Sequence, residues 1–152
     1  MKMDKEKFQK YLKERYCDQI DWYDRKSLQN QKWYKRLQWS LIILAAMTPA
    51  LIAIGVCFSG IPFLKWVPVI TSVLVAILTS TLKIFKFQEN WINYRTTCET
   101  LKKEIHYYDA GIGDYADTGD KEALFVERVE NLISRENTLW ISVRKETNLN
   151  AK

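Results

Sequence analysis

The sequence predicts an all-α membrane protein, in which a two-helix transmembrane hairpin extends into a cytoplasmic helical bundle with a third, C-terminal helix. Two observations predict this class. The 28 positions from Leu37 to Leu64 hold no charged residue, and Lys65 is the one charge between residues 37 and 82, whereas a spanning helix needs about 20 apolar residues. Outside this block the chain is rich in charge, and its apolar residues recur at helical spacing.

Length and composition narrow the possible classes further. The 152 residues suit a single domain over positions 1–152. The net charge of +5 includes no run of basic residues of the kind that binds nucleic acid, so we expect no nucleic-acid partner. The three cysteines lack metal-binding spacing, and the first 36 residues contain no apolar stretch of a secretion signal. We therefore expect no metal, no cofactor and no cleaved leader.

The first half of the chain predicts one long helix that enters the membrane. A cytoplasmic helix over 5–38 is expected to run into a first transmembrane helix over 39–58, since neither Gly nor Pro occurs in the first 48 residues. A short outside turn over 59–65 follows, because Gly60 tolerates unusual dihedrals and Pro62 cannot donate a helical hydrogen bond. So short a turn makes the two apolar helices antiparallel neighbours.

The second transmembrane helix is predicted to continue into the cytoplasm as one element over 66–109. Its apolar run up to Leu82 has 17 residues and covers about 25 Å at about 1.5 Å per residue. The flanking Lys65 and Lys83 must therefore snorkel toward water. Residues 69–110 contain neither Gly nor Pro, so we expect an unbroken rod of about 40 residues.

Aromatic and apolar residues after the second transmembrane helix recur at alternating spacings of 4 and 3, as in a heptad repeat. We expect them to pack against other helices of the bundle or against neighbouring subunits. This heptad seam consists of Phe87, Trp91, Tyr94, Cys98, Leu101, Ile105 and Tyr108. The N-terminal helix carries a matching stripe, whose polar positions Ser27 and Asn30 would fix the register.

The last part of the chain predicts a loop and a third helix. Glycines in the loop over 110–119 are expected to end the long rod by supplying the left-handed conformation. A third cytoplasmic helix follows over 120–145, with Asp120 as its N-cap and Glu122 in its first turn. We expect the residues from Glu146 to Lys152 to form a frayed tail.

Charge at the helix ends predicts the orientation. Basic side chains cluster at the outer ends of both apolar helices, namely Lys32, Lys35, Arg36, Lys83 and Lys86. The positive-inside rule then places both termini in the cytoplasm and the protein in the cell (inner) membrane as a multi-pass protein. A soluble bundle with a buried apolar hairpin is the alternative, but a chain this small has too little other material to cover such a hairpin.

One face of the second transmembrane helix combines small residues, hydroxyls and positive charge. This polar face consists of Ser72, Ala76, Thr79, Lys83 and Lys86, spaced 4, 3, 4 and 3. In an oligomer it could line a pore, where rings of lysine favour anions. Close helix packing, which also enriches small residues, is the alternative. A neighbouring face of large apolar residues suits lipid or helix contact and would run into the heptad seam: Val73, Ile77, Ile84 and Phe87.

Three stretches carry a resemblance to a known family. They are RYCDQIDWYDRK at 15–26, FKFQENWINYR at 85–95, and FVERVE at 125–130 with Glu136, Asn137 and Trp140 beyond it. Together with the hairpin they resemble SLATT-type proteins (SMODS- and SLOG-associating two-transmembrane effector domains). The resemblance implies a bacterial inner-membrane protein and a pore-forming effector in conflict systems tied to nucleotide signals. The chain contains no recognisable sensor segment, so its trigger would be an unidentified cytoplasmic protein or a ligand of the bundle, unless it needs no trigger.

The residues do not predict an enzyme, and we expect no catalytic site. The lone His106 lies beside the heptad seam, and Asp18, Asp21 and Asp24 recur at a spacing that drifts around a helix, without a loop to complete a metal site. Two functions stay open at this point. One is a homo-oligomeric channel or pore in the lipid bilayer, and the other is a membrane-anchored cytoplasmic interaction module without conduction.

Overall fold

The computed structural model of the protein describes residues 3–57 and 62–149, with side chains over 3–57 and 63–135. Every element in these ranges is helical and none is a strand, which confirms the all-α prediction. The α-helices are α1 (Lys5–Tyr11), α2 (Cys17–Cys57), α3 (Val67–Phe85), α4 (Phe87–Ala110) and α5 (Lys121–Leu149). A π-helix (Leu12–Tyr16) joins α1 to α2, and 3-10 turns occupy Pro62–Lys65 and Gly113–Tyr115. Residues 58–61, which are the last residue of the predicted first transmembrane helix and the first three of the predicted turn, lie outside the described residues.

Two compact units divide the chain. The terminal unit comprises Met1–Lys26 and Asn93–Lys152, and the central unit comprises Ser27–Ile92. The terminal unit has a core in which residues from α1, α2, α4 and α5 pack together, and its fully or almost fully buried members are Phe8, Tyr16, Tyr23, Cys98, Leu101, Tyr115, Phe125, Val129 and Ile133.

The π-helix explains how the first helix reaches this core. Phe8 and Tyr16 are eight residues apart, which in a regular α-helix would turn them away from each other by nearly a quarter turn. Because a π-turn accommodates one extra residue, both rings contact Phe125 of α5, with centroid distances of 5.7 Å and 5.2 Å. The Tyr16 hydroxyl then donates to the Leu101 carbonyl at 2.7 Å and joins the π-helix to α4.

The end of the predicted rod has the expected chemistry. Helix α4 stops at Ala110, and Gly111 adopts a left-handed φ of 62° while its N–H donates to the Tyr108 carbonyl. Asp120 caps α5, since its carboxylate accepts from the Ala123 N–H at 3.1 Å. Both assignments confirm the sequence analysis. The prediction of a frayed tail is wrong for residues 146–149, which continue α5 because no Gly or Pro interrupts them. Residues 150–152 lie outside the described residues.

The unbroken rod is a wrong prediction, because the helix breaks at Lys86. Lys86 has the left-handed dihedrals φ 46° and ψ 37°, which separate α3 from α4. The break is capped locally: the Asn90 side-chain amide donates to the Phe85 carbonyl at 3.1 Å, and the Lys86 ammonium contacts Glu89 at 3.2 Å. Such a conformation costs an L-residue about 1–2 kcal/mol.

Packing against α2 gives the physical reason for this break. The half-buried residues of α3 include a stripe with spacings of 4, 3 and 4, which consists of Thr71, Val75, Leu78 and Leu82. Phe87 and Trp91 form the half-buried stripe at the start of α4. An uninterrupted helix would put Phe85 on this stripe, yet Phe85 is 58% exposed. The left-handed residue shifts the helical phase, so that the stripes of α3 and of the start of α4 both pack inward.

This phase shift also corrects the predicted course of the large apolar face. Val73, Ile77 and Ile84 were expected to run into the heptad seam at Phe87. They are 54%, 55% and 74% exposed, whereas Phe87 is half-buried. The apolar face of α3 and the heptad seam are therefore separate surfaces of the chain, because Lys86 leaves the α-helical conformation between them.

Candidate functional site

The apolar helices expose their side chains over long stretches. Two helical segments, Lys5–Cys57 and Phe63–Tyr115, each contain an 18-residue apolar stretch long enough to cross a membrane, and none of the residues in either stretch is buried. Val56 is 73% exposed and Ile84 is 74% exposed. In a soluble protein, the rest of the fold would instead bury most of such a stretch. Two helices long and apolar enough to span a bilayer are thus present.

A half-buried stripe on α2 faces α3 within the central unit. Its members recur at spacings of 3 and 4 and are Tyr34, Leu37, Leu41, Leu44, Thr48, Leu51 and Gly55. Gly55 lies beside Leu64, since a Cβ built on Gly55 would be in ordinary van der Waals contact with the Leu64 carbonyl oxygen at 3.5 Å. At the other end of the unit, the Ser27 hydroxyl donates to the Trp91 carbonyl at 3.2 Å. These contacts define an antiparallel pair.

The structure places the whole polar face on the exposed surface of the central unit. Ser72, Ala76, Thr79 and Lys83 lie along α3, beside the stripe that meets α2, and all four are exposed. Lys86 is exposed as well, but it follows the end of α3, so it does not continue the helical face. Its ammonium contacts Glu89 at 3.2 Å. Lys83 is therefore the one lysine of the polar face that lies within α3.

The hydroxyls of α3 donate to their own helix. Ser72 donates to the Pro68 carbonyl and Thr79 to the Val75 carbonyl, each at 2.8 Å. Ser80 and Thr81 donate in the same way at 2.9 Å and 2.8 Å. A hydroxyl has one proton to donate. These groups therefore present oxygen lone pairs outward, and the positive charge of Lys83 is what the polar face offers to an anion.

The heptad seam packs within the chain. Phe87 and Trp91 are half-buried in the central unit. In the terminal unit, Cys98 and Leu101 have no exposed surface, and the remaining members are half-buried: Tyr94, Ile105 and Tyr108. Tyr108 contacts Phe8 and Phe125 with centroid distances of 5.2 Å and 5.3 Å. Intrachain helices thus cover much of a surface that was also a candidate for contacts between subunits.

A buried polar network in the terminal unit was not anticipated. Glu104 is 5% exposed and accepts from the Tyr115 hydroxyl and from Arg128 Nε, both at 2.5 Å. Arg128 also forms an ion pair with Asp114 of the loop. Burial, followed by the bond to Glu104, raises the pKa of Tyr115 above its ordinary value. The spacing of Glu104 one turn from Leu101, on the buried side of α4, was the available sequence signal.

A second polar cluster joins the N-terminal helices to α5. Glu130 accepts from the Tyr11 hydroxyl at 2.9 Å and from two nitrogens of Arg15, each at 3.2 Å. The bonds from Arg15 lower the pKa of Glu130 below its ordinary value. These contacts are structural in geometry. In the described ranges, no three His, Cys, Asp or Glu side chains are grouped so as to hold a metal ion.

Charge is divided unequally between the two units. The central unit contains six Lys and Arg residues and one acidic residue, Glu89, so its net charge is +5. The terminal unit contains the remaining 17 basic and 17 acidic residues and is neutral. The whole net charge of the protein therefore belongs to the unit with the exposed apolar helices.

Comparison with known proteins gives one match. No curated protein and no solved structure matches the chain. The family model described as "Protein of unknown function (DUF4231)" matches residues 18–123. The matched range begins in α2, contains both apolar helices, the break at Lys86 and the glycine loop, and ends in the first turn of α5. Since it covers more than half of the sequence, the chain belongs to the DUF4231 family.

Proposed function

We propose that the protein is a homo-oligomeric channel of a bacterial inner membrane, with a preference for anions. The resemblance to SLATT-type proteins suggests a role as an effector in a bacterial conflict or signalling system. In this proposal the lipid bilayer surrounds the central unit, the terminal unit is cytoplasmic, and no catalytic step is involved. The trigger is an unidentified cytoplasmic protein or a ligand of the terminal unit.

One observation carries the membrane part of the proposal. Neither apolar stretch has a buried residue, so the chain itself leaves much of this surface uncovered. Transfer of exposed apolar area out of water stabilises by about 25 cal/mol per Å², and a bilayer supplies that environment along a whole helix. Five of the six basic residues of the central unit flank the stretches at the ends that connect to the terminal unit, and Lys65 alone lies at the turn, which supports cytoplasmic termini.

An oligomer is required because one helical hairpin cannot enclose a pore. The polar face of α3 is exposed in the single chain, so it is available to surround an axis or to meet a neighbouring copy. Closed rings of identical subunits are the common solution for such a surface. Lys83 near the end of α3 would then form a ring of positive charge, which favours anions.

A membrane-anchored interaction module is the second candidate function. The internal hydrogen bonds of Ser72 and Thr79 favour it, because these hydroxyl protons do not have to be solvated by a pore. The terminal unit also has its own core, which suits a module that acts by binding another molecule. In this case α2 and α3 only anchor the terminal unit to the bilayer.

Topology is tested with thiols in intact cells. Cys17 is exposed in the terminal unit, and Phe63 near the turn is 69% exposed. In a Phe63→Cys, Cys57→Ala variant, an impermeant maleimide should label Cys at 63 from outside and reach Cys17 only after lysis. Labelling of Cys17 in intact cells, without labelling at 63, would refute cytoplasmic termini.

Conduction and assembly need separate measurements on the purified protein. Mass determination in mild detergent and in lipid nanodiscs should give a multiple of the 18.0 kDa chain. Ion flux from reconstituted vesicles should then be detected, with chloride favoured over potassium. A monomeric mass in both environments would refute the ring, and an inserted oligomer that carries no ions under any tested trigger would favour the interaction module.

A further inference from the structure

The central unit brings five basic side chains to one level of the antiparallel pair. Residue 27 is opposite residue 91 and residue 55 is opposite residue 64, as the contacts of Ser27 and Gly55 establish. Because the pair is antiparallel, each residue further along α2 between these contacts lies level with an earlier residue of α4 or α3. Residues 32–36 are therefore level with residues 82–87. This basic belt consists of Lys32, Lys35, Arg36, Lys83 and Lys86, all of which are exposed.

The basic belt occupies a thin layer at the end of the apolar helices. Residues 32–36 span about 6 Å along α2 at about 1.5 Å per residue. Glu89 is the one carboxylate of the central unit, and it contacts Lys86. Four of the five cations therefore lack an acidic partner within that unit.

Aromatic side chains border the same layer. Trp33 is 48% exposed and Trp39 is 64% exposed, and indole rings favour the boundary between headgroups and acyl chains. Phe85 and Phe87 stack on each other with a centroid distance of 5.5 Å. A ligand at this layer must therefore combine a negative group beside the cations with an apolar part beside the rings.

We propose that the basic belt is a binding site for the phosphate headgroups of anionic phospholipids. The proposal rests on the membrane insertion proposed above and identifies the lipid class that surrounds the protein. The phosphodiester of a phosphatidylglycerol accepts hydrogen bonds from the ammonium and guanidinium groups, since both are donors without acceptor capacity. Its acyl chains lie along the exposed apolar residues that continue from the belt. A zwitterionic lipid carries a positive choline that the belt repels.

Fluorescence quenching measures the lipid preference directly. Detergent-purified protein is reconstituted into vesicles of phosphatidylcholine and phosphatidylglycerol, in which either lipid carries brominated acyl chains that quench nearby tryptophan. We expect brominated phosphatidylglycerol to quench several-fold more effectively than its mole fraction predicts. Reconstituted orientation does not affect this result, because both leaflets contain both lipids. Equal quenching by the two lipids would overturn the site.

Matched variants separate the basic belt from overall charge. In Lys35→Gln, Arg36→Gln, Lys83→Gln the preference should fall to about one, whereas Lys35→Arg with Lys83→Arg should keep it. The control removes three exposed lysines of the terminal unit instead, by Lys5→Gln, Lys7→Gln and Lys13→Gln. This control should retain the preference of the parent protein. An equal loss in both triple variants would overturn the site, since net charge alone would then explain the preference.

Two further measurements distinguish the possible failures. Insertion into vesicles of pure phosphatidylcholine is scored by resistance to alkaline extraction, and failure there would overturn the proposed membrane function together with the site. Successful insertion without a lipid preference would overturn the site alone. Glycerol 3-phosphate, added at constant ionic strength, should not reduce the preference, and full competition by it would show that a soluble phosphate is the ligand.

Discussion

Arg128 of α5 donates to the buried carboxylate of Glu104 in α4, with 2.5 Å between Nε and Oε1. The same carboxylate accepts from the buried Tyr115 hydroxyl, while Arg128 also pairs with Asp114. One carboxylate thus joins α4, α5 and the loop between them. Breaking a buried pair by removing one partner is costly, because it leaves the other charge uncompensated.

Glu104→Ala should therefore destabilise the terminal unit by about 2–3 kcal/mol. The value is set below the usual cost of about 3–5 kcal/mol for a broken buried pair, because the Arg128 side chain is 36% exposed and water can reach it. Urea unfolding followed by far-ultraviolet circular dichroism in mild detergent measures the change. The control is Glu99→Ala, which removes exposed pairs with Arg95 and Lys102 and should cost under about 1 kcal/mol. Equal effects at the two positions would contradict the role of burial.

The Glu130 cluster predicts a pH-dependent contribution to stability. Bonds from Arg15 lower the pKa of Glu130 in the folded protein, so folding favours the ionised carboxylate. The stabilisation is complete above the unfolded pKa of about 4.3 and is lost as the pH falls through the lower folded pKa. The difference in the free energy of unfolding between wild type and Glu130→Gln should therefore shrink as the pH falls below about 4.3. A constant difference between the two proteins from pH 7 to pH 3 would contradict this linkage.

The left-handed residue predicts opposite effects of glycine at two nearby positions. Lys86→Gly should stabilise by about 0.5–1 kcal/mol, because glycine adopts the left-handed conformation without a steric cost. Lys83→Gly should destabilise by about 1 kcal/mol, because residue 83 lies within α3 and glycine is a poor helix former. Thermal unfolding in the same detergent compares both variants with wild type. If glycine lowers the thermal stability at both positions, the break at Lys86 does not persist.

Those features that follow from local chemistry could be predicted from the sequence. The apolar block, the Asp120 cap and the glycine that ends α4 each depend on residues within a few positions of one another. The break at Lys86 depends instead on the phase that α3 and α4 need in order to pack on α2. No Gly or Pro indicates it, and the available signal was the five-residue step between Leu82 and Phe87 in the two apolar stripes.

In the candidate site as well, the features that could not be predicted depend on contacts between elements that are distant in the sequence. The polar face could be predicted because its members from Ser72 to Lys83 lie on one helix, α3. The end of the face at Lys83 could not be predicted, because it follows from the break at Lys86. Glu104 was hidden among surface charges of α4, because its partners Tyr115 and Arg128 are 11 and 24 residues away. The eight-residue separation of Phe8 and Tyr16 concealed their common contact with Phe125, which requires the π-helix.

Ion selectivity gives the most direct test of the polar face, because the structure distinguishes its two lysines. Lys83 lies within α3 and has no ion pair among the described residues, whereas the Lys86 ammonium contacts Glu89 at 3.2 Å. If the polar face surrounds a pore, Lys83→Glu should shift the reversal potential in a chloride gradient toward cation preference, because it replaces a ring of positive charge with a negative one. Lys86→Glu should shift it less, since the wild-type charge is already partly offset.

Both variants remove the same basic charge from the flank of the helix, so a common change in insertion or orientation would affect them alike. Orientation is checked in parallel by labelling of Cys17. Unchanged selectivity in a correctly inserted Lys83→Glu channel would remove Lys83 from the conduction path, and equal shifts in both variants would assign the effect to general surface charge.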